Sequence, residues 1–148
     1  MSNQPPYGGP QGYQGGGYPP PGGPTGKTKV LNLDYNVAAM LAYLPICCVS
    51  LICSIMWIAS EPKENRFVRF HAMQSLILTG AMVAAYFVLW VISLIAVRVF
   101  FGFGILILLI EVALLVVWLI LTIIGCIKGY QNQMWKMPII GDIAEKNA

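Results

Sequence analysis

Charge is scarce in this chain: Asp, Glu, Lys and Arg make up only 10% of its 148 residues, against about 25% in an ordinary soluble domain. A domain this small turns much of its surface to water, and nine basic and six acidic side chains do not cover it. A water-soluble enzyme is thereby excluded. The net charge of +3 is too dilute for a phosphate-tracking patch, so nucleic acid is not an expected partner. There is one histidine, His71, and it stands at no familiar ligand spacing from Cys47, Cys48 and Cys53. Four cysteines, three of them inside one apolar run, are small packing residues rather than a disulfide framework. No G-x-S-x-G, H-E-x-x-H or Gly-rich phosphate loop occurs, nor any nucleophile–base pair. The expectation is a protein with no catalytic residues, no metal and no cofactor.

What is present is apolar. The residues AVILMFWYC account for 57% of the chain, and the mean hydropathy is +0.70. The sequence divides into a tail (1–34), an apolar body (35–128) and a short C-terminal segment (129–148). Nine Gly and seven Pro fill residues 1–26, with Tyr7, Tyr13 and Tyr18 between them. Such sequence cannot bury enough apolar area to offset the entropy of ordering it, so the tail is expected to be disordered. It has neither the charged start nor the apolar stretch of a signal peptide. Pro21-Gly22-Gly23-Pro24 has a PxxP spacing, but in so Pro-rich a tract that match is close to chance.

The body holds three long runs. Tyr35–Ser60 and Ala72–Val97 are 26 uncharged residues each, and the 29 residues between Arg98 and Lys128 carry one charge, Glu111. About 20 residues of helix cross a hydrocarbon core of roughly 30 Å, and backbone in lipid must pair internally. The expected fold is an all-α membrane protein: a bundle of three transmembrane helices over 36–59, 72–97 and 104–127. A fourth span is the alternative and needs a turn hidden between Ile105 and Ile124. Phe101-Gly102-Phe103-Gly104 is the turn before the third span, and Lys128-Gly129 is its stop. Pro45 predicts a kink in the first span. Gly80, Ala81, Ala84 and Ala85 give the second a small-residue face suited to helix packing.

The edges are amphipathic. Ser60-Glu61-Pro62 resembles a helix start, after which Lys63, Arg66 and Arg69 recur every three residues among Phe67, Val68 and Phe70. Either a helical turn or two at the membrane surface or a plain basic loop accounts for this spacing. Trp135 and Lys136 suit the headgroup region, which places segment 129–148 at the interface. With three spans, Lys63, Arg66, Arg69, Lys128, Lys136 and Lys146 share one side, and Lys27, Lys29 and Arg98 the other. That excess puts the 61–71 loop and the C-terminus in the cytoplasm and the Gly/Pro tail outside.

Glu111 lies roughly 10 Å inside the third span at helical rise. Tyr43 and Ser93 fall at the same depth in a three-helix bundle, so Tyr43, Ser93 and Glu111 form a candidate intramembrane polar cluster. A carboxylate there is protonated, paired or facing water, with Arg98 able to snorkel toward it. A proton or solute site and a structural contact between helices both fit.

Three blocks carry a family likeness: Leu41-Ala42-Tyr43-Leu44-Pro45, the run Glu64–Leu76 containing Arg66-Phe67-Val68-Arg69-Phe70-His71-Ala72-Met73-Gln74, and Lys136-Met137-Pro138-Ile139-Ile140-Gly141-Asp142-Ile143-Ala144-Glu145-Lys146. Together they resemble small, mostly prokaryotic membrane proteins of the Tic-twenty-like (chloroplast import translocon subunit-like) family. The resemblance implies a multi-pass protein of the prokaryotic plasma membrane, linked to protein translocation or insertion. It directs attention to Lys63, Arg66, Arg69, His71, Gln74, Lys136 and Asp142 as an interfacial, partner-binding rim. The functional expectation is a non-enzymatic subunit of a membrane assembly, with the lipid bilayer and either a second copy or another membrane protein as partners. The alternative is a small transporter or channel that uses Glu111.

Overall fold

The computed structural model describes residues 24–46 and 48–148, and the tail expected to be disordered lies outside them up to residue 23. The described residues form five helices: α1 (Tyr35–Ala42), α2 (Val49–Ser60), α3 (Arg66–Val99), α4 (Phe101–Tyr130) and α5 (Ile140–Asn147). No strand occurs among them beyond an isolated bridge between Lys27 and Asp34. Residues 24–34, assigned to the disordered tail on composition, instead hold a closed turn. The Thr28 amide donates to the Leu33 carbonyl at 2.8 Å, and the Thr28 hydroxyl donates to the Val30 carbonyl at 2.7 Å.

The first apolar run does not form one span. Pro45 has no amide hydrogen, and the residue before a proline is pushed out of helical conformation. Accordingly α1 tightens at its end, with Tyr43 N donating to Met40 O and Leu44 N to Leu41 O. The chain then turns before α2 begins at Val49. Helices of 8 and 12 residues reach only about 12 and 18 Å, short of a bilayer core. The expected span over 36–59 is therefore replaced by two short helices, and the kink is a reversal.

Contacts show where the reversal leads. Asn36 Nδ2 donates to Tyr130 O at 3.4 Å and Cys126 Sγ to Met40 O at 3.5 Å, so α1 runs inward from the end of α4. The Arg69 guanidinium donates to Ile58 O at 2.7 Å and Glu61 O at 3.0 Å, so α2 ends beside the start of α3. The pair thus enters and leaves at one end of the molecule. Lys27 and Lys29 consequently share that end with Lys63, contrary to the opposite sides expected from three spans. The Lys29 amide donates to Glu61 Oε1 at 2.7 Å, which pins the N-terminal turn there.

Two long helices remain. Asn65 caps α3, its side chain accepting from Val68 N. The basic turn and the second apolar run are one continuous helix beginning at Arg66, so Ser60 closes α2 rather than starting a helix. The turn into α4 is the single extended residue Phe100. Gly102 and Gly104, expected in that turn, lie inside α4. Gly129 also lies inside α4, and its absent side chain lets the Ala39 backbone approach: a Cβ there would stand 3.0 Å from Ala39 C.

The core sits at the basic end. Ala38, Ala39, Ala42, Tyr43, Trp57, Phe67, Val68, Ala72, Leu78 and Met137 are buried together where α1, α2 and α5 surround the start of α3 and the end of α4. Beyond Leu78 the α3–α4 hairpin stands uncovered. An 18-residue stretch of α3 with mean hydropathy 2.3 has none of its residues buried, and the matching stretch of α4 reaches 3.0. Gly80 has nothing within 4 Å of its Cβ position and Ala81 and Ala84 are exposed, while Ala85 is half-buried, so that small-residue face is largely open within the described chain.

Gly125 offers a test of the core. A Cβ added there would stand 2.8 Å from the Tyr43 ring, and overpacking of this kind costs about 1–3 kcal/mol. Gly125→Ala is expected to lower the melting temperature of the detergent-solubilised protein, followed by circular dichroism. Gly80→Ala should leave it unchanged or raise it slightly, since the site is open and alanine favours helix.

Candidate functional site

Polar groups buried in an apolar core are costly unless paired, and three of them meet where α1, α3 and the segment after α4 converge. Tyr43, His71 and Gln74 are all buried. The Tyr43 ring is brought in by the last turn of α1 over the gap left by Gly125, while His71 and Gln74 lie on the buried face of α3 one turn apart. Gln74 Nε2 donates to Tyr43 Oη at 2.9 Å and to Trp135 O at 3.1 Å, and Gln74 Oε1 accepts from Met137 N at 3.1 Å. His71 Nε2 faces the Gln133 carbonyl at 3.2 Å, and Nδ1 faces Tyr43 Oη, also at 3.2 Å. A carbonyl can only accept, so Nε2 carries the hydrogen, and in the neutral tautomer Nδ1 accepts from the Tyr43 hydroxyl. The edges of Phe67 and Phe70 stand around the ring at centroid distances of 4.7 and 5.3 Å. Ser75 Oγ closes the layer by donating to Ala42 O at 2.5 Å.

Each side chain in this layer is hydrogen-bonded. The layer's chemistry is that of a lock, which joins the reversal of the first apolar run to α3 and to residues 133–137.

The rim expected from the sequence separates into layers. Lys63 and Arg66 are exposed at the basic end. Arg69 is partly buried and clamps the end of α2, with Nε donating to Ala148 O at 3.0 Å. His71 and Gln74 are not rim residues at all; they are interior. Lys136 pairs with Glu145 at 2.7 Å and Asp142 at 3.8 Å on the surface. The hydrogen bond to Glu145, with both carboxylates nearby, holds the Lys136 ammonium above its usual range. The blocks at 66–74 and 138–145 do come together, through Gln74 and α5. Glu61 was not anticipated: it is buried, accepting from Lys29 N and from Asn65 Nδ2 at 2.6 Å. Its sequence signal is an acid placed between two helices beside Pro62.

The cluster of Tyr43, Ser93 and Glu111 does not form. The reversal at Pro45 keeps Tyr43 at the basic end, whereas Ser93 and Glu111 line one groove of about 340 Å³ between α3 and α4. Tyr86 of α3 donates its hydroxyl to the Glu111 backbone carbonyl at 2.8 Å.

Gln74→Leu removes the acceptor for Met137 N and the donors to Tyr43 and Trp135. A loss of about 3 kcal/mol is expected, against about 1 kcal/mol for Tyr43→Phe. Thermal unfolding in detergent checks the ordering. Hydrogen exchange at the Met137 amide should accelerate in Gln74→Leu and not in Tyr43→Phe.

The likeness to known proteins covers the described helices. Residues 34–144 match the Magnetosome magnetite crystal formation protein family. A UPF0132 membrane protein of Methanocaldococcus jannaschii is 38% identical over 121 residues, covering 82% of this chain and 94% of that protein. A second from the same organism is 33% identical over 127 residues (81% and 74%). One from Archaeoglobus fulgidus is 35% identical over 113 residues (75% and 92%). No solved structure matches. These matches overturn the resemblance to the Tic-twenty-like family and leave the link to protein translocation without support. The blocks that carried that resemblance supply Tyr43, His71, Gln74 and Met137, which join the helices at the base. The chain belongs to the Magnetosome magnetite crystal formation protein family.

Proposed function

We propose that the chain is a multi-pass protein of the cell membrane and a non-enzymatic subunit of a membrane assembly. It crosses the bilayer through α3 and α4 and presents its basic end to the cytoplasm. The observation that carries this reading is the uncovered hairpin, two helices of 34 and 30 residues whose apolar surface is largely without a partner among the described residues. In water such a surface would aggregate, while in lipid it is satisfied.

The reversal of the first run supplies the orientation. Lys27, Lys29, Lys63, Arg66, Arg69, Lys128, Lys136 and Lys146 all lie at the end where α1 enters and α2 leaves, and Arg98 alone lies at the Phe100 turn, which accounts for all nine cations. Eight against one is a far stronger bias than the six against three of a three-span arrangement, and it favours a cytoplasmic basic end. It also brings the N-terminal segment to that side. Ile46 in the connection and Ile52 and Ile55 on α2 are exposed, which suits a re-entrant pair dipping into the same leaflet and returning.

The family's description concerns magnetite crystal formation in the magnetosome. Membrane residence is what we carry over to this chain. Among the described residues no three His, Cys, Asp or Glu side chains are placed to hold a metal ion. A second reading, transport through Glu111, draws on the groove that Glu111 shares with Ser93.

Fractionation of lysed cells tests the membrane reading: the chain should stay in the pellet through an alkaline carbonate wash and leave it only with detergent. Recovery in the supernatant without detergent contradicts it. Side-specific thiol labelling tests the orientation in a variant whose native cysteines are replaced. Lys29→Cys and Lys146→Cys should react only from the cytoplasmic side and Phe101→Cys only from outside. Labelling of Lys29→Cys from outside would restore the three-span arrangement.

A further inference from the structure

Glu111 faces the seam between α4 and α3, half-buried, eleven residues beyond the Phe100 turn. At 1.5 Å per residue it stands roughly 16 Å from that turn, near the middle of a hydrocarbon layer about 30 Å thick. This depth rests on the proposed crossing of the hairpin. Among the described residues no donor and no cation meets the carboxylate. Lys136, whose ion pairs are the ones found among the described residues, lies at the other end of the molecule, and the Tyr86 hydroxyl donates to the Glu111 backbone carbonyl rather than to the side chain. An unanswered carboxylate at that depth is costly.

Beside it runs the groove of about 340 Å³, with Ser93 as its other polar wall and Val97, Gly104, Ile107 and Leu108 among its apolar ones. It stays uncovered because α1, α2 and α5 all pack at the opposite end of the hairpin. The geometry points to a binding site for an amphiphilic monocation: an ammonium group set against the Glu111 carboxylate and the Ser93 hydroxyl, with its alkyl chain along Val97, Ile107 and Leu108. Charge complementarity selects the head group. The volume suits a small ligand: the groove measures about 340 Å³, and small-molecule sites begin near 300 Å³. A ligand of this class reaches the site from the bilayer itself.

Binding of dodecyltrimethylammonium and of uncharged dodecanol to the full chain in phosphatidylcholine nanodiscs, each corrected with empty nanodiscs, tests the inference. The ammonium should bind saturably and at least about tenfold more tightly than the alcohol, a difference of one charged contact. Glu111→Gln should erase that difference. Leu108→Trp, which keeps the carboxylate and fills the groove, should abolish saturable binding of both, while Gly80→Ala should bind as the wild type does. Equal affinity for the two amphiphiles, or unchanged ammonium binding in Glu111→Gln, overturns the site. So does a dimer cross-linked through Ile105→Cys that excludes the ammonium, because the groove would then belong to a second copy. Protein that will not enter nanodiscs contradicts the membrane reading and the site with it; protein that enters them and does not discriminate contradicts the site alone.

Discussion

The organisation of this molecule depends on a proline in an apolar run. Pro45 leaves a helix without an amide donor and forces its predecessor out of helical conformation. In hydrocarbon the freed carbonyls have no water to turn to. The chain answers by reversing and packing the two short helices that result against the base of a long hairpin. There the Tyr43 hydroxyl is held between Gln74 and His71, Ala39 lies against Gly129, and the Tyr43 ring lies over Gly125. Small residues on both sides allow the backbones to approach, and the hydrogen-bonded layer fixes which residues meet.

A division of labour follows. One end of the molecule holds nearly all the charge and the whole packed core. The other is an apolar hairpin with a single acid in its seam. At the base Tyr43, His71 and Gln74 are tied to one another and to backbone groups of residues 133–137, while Lys63 and Arg66 stand exposed. In the groove at Glu111 a carboxyl side chain faces a cavity between α3 and α4 without a partner among the described residues.

Much of this was legible in the residues. Runs near 26 residues announced α3 and α4, and the cations at 63, 66 and 69 announced the polar edge of α3. The first run misled because length and hydropathy are the same for a segment that crosses and one that returns; only the partners distinguish them, and Gly125 and Gly129 lie more than 80 residues away from α1. That single reversal moved Tyr43 away from Glu111 and brought Lys27 to the same end as Lys63. His71 and Gln74 misled for another reason. Placed beside arginines, they looked like rim residues, but helical periodicity turns them inward toward Tyr43. Glycines in Phe101–Gly104 suggested a turn, yet in an apolar hairpin two glycines are accommodated within helix and one extended residue, Phe100, suffices to reverse the chain.

The most direct measurement of the account is a distance. Spin labels at residues 29 and 63, on either side of the first apolar run, read by pulsed electron resonance in liposomes, should lie within about 20 Å of each other, because the Lys29 amide rests on Glu61. A separation of roughly 30 Å or more, the thickness of the hydrocarbon core, would show that the run crosses the membrane and would contradict the account.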